Sequence, residues 1–156
     1  MVKNLNYGII GNCRTSALVS ENGSIDWCCL PDPDSPAVFG RILDDNKGGH
    51  FSVHTQNDYI VSQKYQGDTN IVVTTFTNEN NTFEIIDFMP RYMTEQGNYY
   101  SAPEIYRIFK VERGNPVIQI DYDPKLNFAS SETTHEIQQD FIKIGLGKSD
   151  SIFDVA

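Results

Sequence analysis

Short runs of β-branched and aromatic residues alternate along most of the chain with clusters of Asn, Gly, Asp and Pro. Runs of this kind predict β-strands, and the clusters between them predict turns. The predicted strands span residues 7–10, 17–20, 25–30, 51–55, 59–66, 71–77, 83–88, 105–112, 116–122 and 141–146. The pattern therefore predicts an all-β fold, an antiparallel β-sandwich whose strands pair in meander order.

Three turns have the clearest hairpin signals. The pair Asn22-Gly23 accepts positive φ at both central positions and predicts a type I′ turn. The polar segment 78–82 predicts a second hairpin, and Arg113-Gly114-Asn115 predicts a third, between strands 105–112 and 116–122.

Strict alternation along strand 25–30 places Ile25 and Trp27 on one face and Asp26 on the other. Trp27 is therefore expected in a core or in a groove.

One short helix is expected at residues 35–43. Ser35 is a suitable N-cap, Pro36 suits the first helical position, and Val38, Phe39 and Ile42 follow at helical spacing. The Gly48-Gly49 pair would end this segment.

The composition limits the classes of partner that this chain is expected to bind. The chain has 156 residues, which corresponds to one domain over residues 1–156, and 21 acidic against 12 basic residues give a net charge of −9. This charge repels nucleic acids and anionic membrane surfaces, so we expect neither as a partner. The first residues, 1–6, lack the apolar segment of a signal peptide, and a cytoplasmic location is expected.

The potential metal ligands are few, and the sequence predicts neither a metal site nor a cofactor. Cys13, Cys28 and Cys29 are odd in number and are expected to be buried, reduced thiols. His50 and His54 share a face of a strand, but no carboxylate stands beside them at ligand spacing in the sequence.

A series of short motifs resembles the amino-terminal region of bacterial and archaeal members of glycoside hydrolase family 15, the glucoamylase and trehalase-like group. The matching blocks occur in the family's order over roughly the first 125 residues. They are Gly11-Asn12-Cys13-Arg14-Thr15-Ser16-Ala17-Leu18-Val19, Asn22-Gly23-Ser24-Ile25-Asp26-Trp27, Cys29-Leu30-Pro31, Asp34-Ser35-Pro36, Val38-Phe39, Gly48-Gly49, Tyr65-Gln66 and Asp87-Phe88-Met89-Pro90-Arg91.

This resemblance implies a two-part enzyme. An amino-terminal β-supersandwich would pack on an (α/α)6 helical barrel that hydrolyses α-glucosidic bonds with inversion, using two glutamates of the barrel. Those glutamates would lie beyond this chain, which is then a non-catalytic domain. Its implied partners are the helical catalytic domain of the same parent chain and an α-glucoside substrate, either a glucoamylase or a trehalase substrate.

The sequence departs from the family pattern in two respects. Asp32-Pro33 stands where family members commonly have a basic and then an aromatic residue. The family's supersandwich also usually continues for further strands, so both a complete and an incomplete sandwich remain open.

The candidate substrate-loop residues are Asp26, Trp27, Asp34 and Arg14, because an indole beside carboxylates stacks on and hydrogen-bonds to a sugar ring. The alternative is a core tryptophan with solvated acids. Arg14 is expected to pair with Asp26 or Asp34.

Two further sets of residues have open interpretations. Glu84 and Asp87 are expected to be solvated rather than a catalytic pair. Tyr99-Tyr100 near Pro103 is a candidate interdomain patch, with simple packing as the alternative.

Two other functions stay open beside the accessory domain. One is a stand-alone carbohydrate-binding module that uses Trp27. The other is an oligomerising structural domain that pairs a free sheet edge with a second copy.

Overall fold

The computed structural model describes residues 5–146 and the backbone of residues 149–155. Residues 1–4, on which part of the signal-peptide expectation rests, lie outside this range. The strands, in chain order, are β1 Tyr7–Gly11, β2 Ser16–Ser20, β3 Ile25–Cys29, β4 Ala37–Phe39, β5 His50–Thr55, β6 Ile60–Tyr65, β7 Val72–Thr77, β8 Thr82–Phe88, β9 Tyr92–Met93, β10 Tyr99–Tyr100, β11 Tyr106–Arg113, β12 Ile118–Asp123, β13 Thr133–Ile137, β14 Ile142–Leu146 and β15 Ser149–Val155.

Two main sheets form a sandwich. The larger sheet has the order β1-β2-β3-β5-β12, with β4 also paired to β3, and the smaller has the order β11-β8-β7-β6. A β9–β10 hairpin and a three-stranded β13-β14-β15 sheet complete the described fold, and all pairings are antiparallel. The prediction of an all-β antiparallel sandwich is confirmed, as is the β7–β8 hairpin, in which Thr77 pairs with Thr82.

The core lies between the two main sheets. One cluster joins residues of β1 to β4 to Val72 of β7, and the other joins Phe76 and Phe83 of the smaller sheet to Val53 and Ile118 of the larger. Strand alternation presents one apolar face of each sheet to the other, and burying these faces is the main favourable contribution to folding.

A buried ion pair crosses between the sheets. On the smaller sheet, Arg107 of β11 donates through Nε to Asp87 Oδ1 at 2.7 Å and through Nη2 to Asp87 Oδ2 at 3.0 Å. Its guanidinium also donates to the carbonyl oxygens of Phe51, at 2.8 Å, and Gly23, at 2.7 Å, which belong to the larger sheet and its first hairpin. One side chain therefore links both layers.

The expectation that Asp87 is solvated is therefore wrong. Its side chain is 0% exposed and that of Arg107 is 3% exposed. Burial raises the pKa of the Asp87 carboxyl, and the Arg107 guanidinium acts in the opposite direction. Nothing in the local sequence marks this partner, because Arg107 lies 20 residues further along the chain.

The predicted helix at residues 35–43 is wrong. Ala37–Phe39 form strand β4, whose residues are all buried, and Phe39 pairs with Cys28. Lys125 donates its backbone N–H to the carbonyl oxygen of Val38 at 2.9 Å, so the segment is held between two neighbours. The free edge of β3 offers hydrogen bonds and burial that outweigh the helical spacing.

The predicted meander fails at three places, since β5 and β6, β11 and β12, and β12 and β14 do not pair with each other. Strands β11 and β12 do not form a hairpin, because β11 pairs with β8 and β12 pairs with β5 in the other sheet. Likewise, β5 and β6 lie in different sheets. Between β11 and β12, Gly114 has φ 78°, and the backbone N–H of Asn115 donates to Asn81 Oδ1 at 2.9 Å. These two features redirect the chain from one sheet to the other.

The first hairpin is closed by a different turn from the predicted type I′. Of the central pair only Gly23 has positive φ, at 74°, and its N–H bonds to Ser20 O at 2.8 Å. The β2–β3 pairing then shifts by one residue, with Val19 opposite Ile25 and Leu18 opposite Trp27. Because cross-strand partners share a face, Ile25 and Trp27 lie on opposite faces, contrary to the predicted alternation.

None of the residues that the structure describes belongs to a helix long and apolar enough to cross a membrane.

Replacing Arg107 with Met should leave the Asp87 carboxylate buried without its cation. We expect the free energy of unfolding, measured by urea titration, to fall by about 3–5 kcal/mol. Lys110→Met on the same strand is the matched control, because the Lys110–Glu112 pair is exposed and its loss should matter little. Equal effects of the two substitutions would contradict a structural role for the buried pair.

Candidate functional site

The four residues singled out from the sequence do not form one cluster. Arg14 Nε donates to Asp32 Oδ1 at 2.9 Å, so Arg14 pairs with neither Asp26 nor Asp34. Asp34 is exposed in the loop after β3, whereas Asp26 is buried near the beginning of that strand. The structure therefore places these candidates in three separate environments: the loop end of β3, the hairpin end of β3, and the surface around Trp27.

The loop end is organised by Asn12, which is 1% exposed. Its Oδ1 accepts the backbone N–H groups of Arg14 and Thr15, both at 3.1 Å, and its Nδ2 donates to Ala102 O at 2.6 Å. Ser101 Oγ donates to Asn12 O at 2.7 Å. The turn between β1 and β2 is thereby fixed to residues 101–102, a contact that local sequence patterns could not reveal.

This same turn corrects one cysteine prediction. Cys13 is exposed, with φ 65°, whereas Cys28 and Cys29 are buried free thiols as expected. Burial raises the pKa of the Cys28 thiol to about 12, so that thiol is unreactive at neutral pH.

Beside residues 101–102 lies an exposed group of aromatic side chains, which we call the tyrosine patch. Tyr92 stacks on Tyr100 with ring centroids 4.8 Å apart, and Phe88 stacks on Tyr106 at 5.2 Å. The patch consists of Phe88, Arg91, Tyr92, Tyr99, Tyr100, Glu104 and Tyr106.

A carboxylate and a guanidinium hold the patch in shape. Glu104 accepts the hydroxyl of Tyr100 at 2.9 Å and that of Tyr106 at 3.4 Å, and Arg91 Cζ lies 4.0 Å from the centre of the Tyr99 ring. The hydrogen bond to Glu104 raises the pKa of Tyr100, and the charge of Glu104 raises that of Tyr106. These contacts fix the orientation of the aromatic rings, even though the patch is at the surface and Tyr99 is 58% exposed.

Trp27 has a different aromatic neighbour, Phe128. The ring centroids are 6.5 Å apart with the planes tilted by 41°, and Phe128 is 55% exposed. Asn127, Phe128 and Ala129 all have φ between 55° and 57°, a conformation that costs a residue with a Cβ about 1–2 kcal/mol. Sequence reasoning missed Phe128, because a polar segment follows it and no local pattern indicates a left-handed turn.

Asp26 lies in a polar cleft at the first hairpin, with a volume of about 590 Å³. Ser24 Oγ donates to Asp26 Oδ1 at 2.5 Å, and the Tyr7 hydroxyl donates to Oδ2 at 3.0 Å. Arg41 Nη1 lies 3.9 Å from Oδ1. Burial and the neighbouring Asp26 charge raise the pKa of Tyr7 to about 12. This arrangement can bind hydrogen-bonding groups, since the carboxylate is fixed in place by its donors.

The two strand histidines do have a carboxylate neighbour. His50 Nε2 lies 3.1 Å and His54 Nε2 3.9 Å from Asp121 Oδ2. Asp121 belongs to β12, the sheet neighbour of β5, and was therefore invisible to spacing rules. Among the residues that the structure describes, no group of three ligating side chains could hold a metal ion.

The chain is thus a β-sandwich protein with two conspicuous surface features, the tyrosine patch and the polar cleft at Asp26. The chain matches the family described as "Trehalase-like, N-terminal" over residues 5–154. It therefore belongs to the family of trehalase-like amino-terminal domains, and the resemblance seen in the sequence is confirmed.

Curated relatives are named as trehalases. The trehalase of Thermoplasma volcanium is 42% identical over 137 residues, covering 85% of this chain and 21% of the relative. The trehalase of Thermoplasma acidophilum is 40% identical over 129 residues, covering 80% and 22%. Trehalase 1 of Sulfolobus acidocaldarius is 51% identical over 84 residues, covering 53% and 14%. No solved structure matches the chain.

The chain spans about a fifth of the length of the two Thermoplasma trehalases. These relatives are glycoside hydrolases in which the matching segment is a small part of a larger protein.

The Tyr7–Asp26 hydrogen bond has a predicted pH signature. We expect Tyr7→Phe to lower the free energy of unfolding by about 1 kcal/mol at pH 8, because Asp26 loses a donor. The folded-state pKa of Tyr7 lies above its ordinary value of 10, so its contribution is complete below pH 10 and is lost as the pH rises towards 12.

Urea titrations of both proteins at a series of pH values would measure this difference. The gap should be constant from pH 7 to 9 and close above pH 10. A gap that stays constant up to pH 12 would show that the hydroxyl does not bind the Asp26 carboxylate.

Proposed function

We propose that this chain is the non-catalytic amino-terminal β-sandwich of a trehalase-like glycoside hydrolase that cleaves α-glucosidic bonds with inversion. It would pack against a helical catalytic domain of the same parent chain and line one edge of the substrate site. The observation that carries this proposal is the family match over residues 5–154, combined with a coverage of about a fifth of the related trehalases.

The tyrosine patch supports the packing role. Exposed Tyr, Met and Arg side chains are enriched in interfaces between proteins, and rigid rings lose little entropy when they are covered. Tyr92, Met93 and Tyr99 are all more than half exposed in this chain. Because Glu104 and the stacked partners already fix the rings, this surface is suited to contact a catalytic domain.

The substrate-lining role is proposed for Arg14, Asp34, Trp27 and Asp26. Arg14 follows Asn12, which bonds to residues 101–102 beside the tyrosine patch, and Asp34 lies in the loop of Asp32, the partner of Arg14. Trp27 and Asp26 lie elsewhere along β3 and would contact sugar independently of that end. The glucoamylase or trehalase specificity would be determined mainly by the catalytic domain.

A carbohydrate-binding module remains a second candidate, favoured by the exposed Phe128 beside Trp27. Aromatic rings of this kind stack on pyranose rings, and the unfavourable backbone at residues 127–129 indicates that surrounding contacts hold Phe128 in position. An oligomerising role is the third candidate, because β6 and β12 are edge strands with exposed apolar side chains at Ile60 and Ile120.

Assays of this chain with trehalose, maltose and maltooligosaccharides test the non-catalytic role. We expect no release of glucose above the buffer control, because the hydrolytic glutamates would belong to another domain. An intact trehalase serves as the positive control under the same conditions. Turnover by this chain that persists through repeated purification would refute the proposed division of roles.

A further inference from the structure

The polar cleft at Asp26 is one part of a longer groove. A second hollow of about 640 Å³ shares Tyr7, Asn22, Tyr59 and Val61 with the first and extends past Gln63 to Tyr65. The groove therefore runs beside β6, between the first hairpin of the larger sheet and an edge strand of the smaller sheet. Each hollow is within the range of roughly 300–1,000 Å³ that is typical of small-molecule sites.

The lining of the groove is amphipathic. Val53, Val61 and Phe76 supply apolar surface, and the Tyr59 ring packs edge-on against Phe76 with centroids 6.3 Å apart. Around them stand hydroxyl, amide, imidazole and carboxylate groups from Ser24, Asn22, His54, Asp26, Asp58 and Thr55. A pyranose ring has the matching arrangement, with C–H groups on its faces and hydroxyls around its rim.

The charges in the groove disfavour an anionic ligand. Four acidic side chains and one arginine, Arg41, line the first hollow, and this net negative charge acts against a phosphate or carboxylate ligand. The described residues provide no group of three ligating side chains with the spacing for a metal ion. A neutral polyhydroxy ligand fits, because its hydroxyl groups donate to carboxylates.

Asp26 is the fixed point of this lining. It is 7% exposed, and donors from Ser24 and Tyr7 hold its two oxygens in defined positions. The backbone carbonyl of Asp26 also accepts the N–H of Ile42 at 3.2 Å, which attaches the loop of Arg41 to the same wall. A preorganised carboxylate of this kind binds a hydroxyl without further ordering.

We infer that this groove is a sugar-binding site within the domain itself, for a neutral disaccharide or short oligosaccharide of glucose. The choice of glucose as the sugar rests on the proposed function, whereas the groove and its polarity do not. The site is separate from the Trp27–Phe128 pair, since neither aromatic residue lines it.

Titration of the ¹⁵N-labelled chain with trehalose, and separately with maltotriose, tests this inference by nuclear magnetic resonance. We expect saturable shifts of the amides of Ser24, Asp26, His54 and Tyr59 with at least one of the two sugars. Sorbitol at equal concentration is the control for unspecific effects. The fluorescence and indole signal of Trp27 should stay constant.

Two substitutions in the groove should weaken binding by about tenfold each. Asp26→Asn removes the charged acceptor, and His54→Ala removes an imidazole that is 54% exposed. Tyr92→Ala in the tyrosine patch is the matched control and should bind like the unchanged chain. The amide spectrum of each variant reports whether it is folded.

Three results would overturn the inference: no saturable shift with either sugar, shifts centred on Trp27 or the tyrosine patch, or unchanged affinity in the folded His54→Ala chain. In each case the accessory role could still hold. Sugar turnover by this chain would instead refute the accessory role and leave binding in the groove to be judged by the shifts.

Discussion

The bidentate ion pair between Arg107 and Asp87 is the constraint on which the rest of the sandwich depends. Arg107 belongs to the smaller sheet, yet it donates hydrogen bonds to the carbonyls of Phe51 and Gly23 in the larger one. Its guanidinium also lies 4.5 Å from the centre of the Phe51 ring. Apolar burial alone would allow the layers to slide, whereas these directional contacts define their relative position.

This constraint positions the two surfaces for which roles are proposed. Gly23 closes the hairpin that precedes Ser24 and Asp26, so the ion pair fixes one wall of the polar groove against β6 and β7. Asp87 begins the segment that leads through β9 and β10 to the tyrosine patch, which Asn12 anchors at the other side. A single motif, Asp87-Phe88-Met89-Pro90-Arg91, thus contributes to both the core and the exposed aromatic surface.

The local features of the fold could be predicted from the sequence, and the long-range ones could not. Strand positions, the β7–β8 hairpin and the buried Cys28 follow from residue type and period. The sheet crossing at Gly114 and the strand at Ala37–Phe39 depend on which edge is free in the folded protein. The face of Trp27 was also wrong, because one extra residue in the β2–β3 pairing reverses the alternation.

The candidate site shows the same division. The family motifs and Asp26 were identified from the sequence. The contacts of Asp26 with Tyr7 and Arg41 were not, because they depend on how the chain folds. The contacts of Asn12 with residues 101–102 and of Phe128 with Trp27 were also missed, because each joins residues at least 89 positions apart. Spacing rules detect ligands only within one element.

A chimera tests most directly whether this sandwich serves a trehalase catalytic domain. The trehalase of Thermoplasma volcanium would carry this chain in place of its own matching segment, and its activity on trehalose would be compared with that of the enzyme lacking the segment. The chimera is expected to hydrolyse trehalose and the shortened enzyme to be inactive. Equal activity of the two, or a folded chimera without activity, would contradict the accessory role.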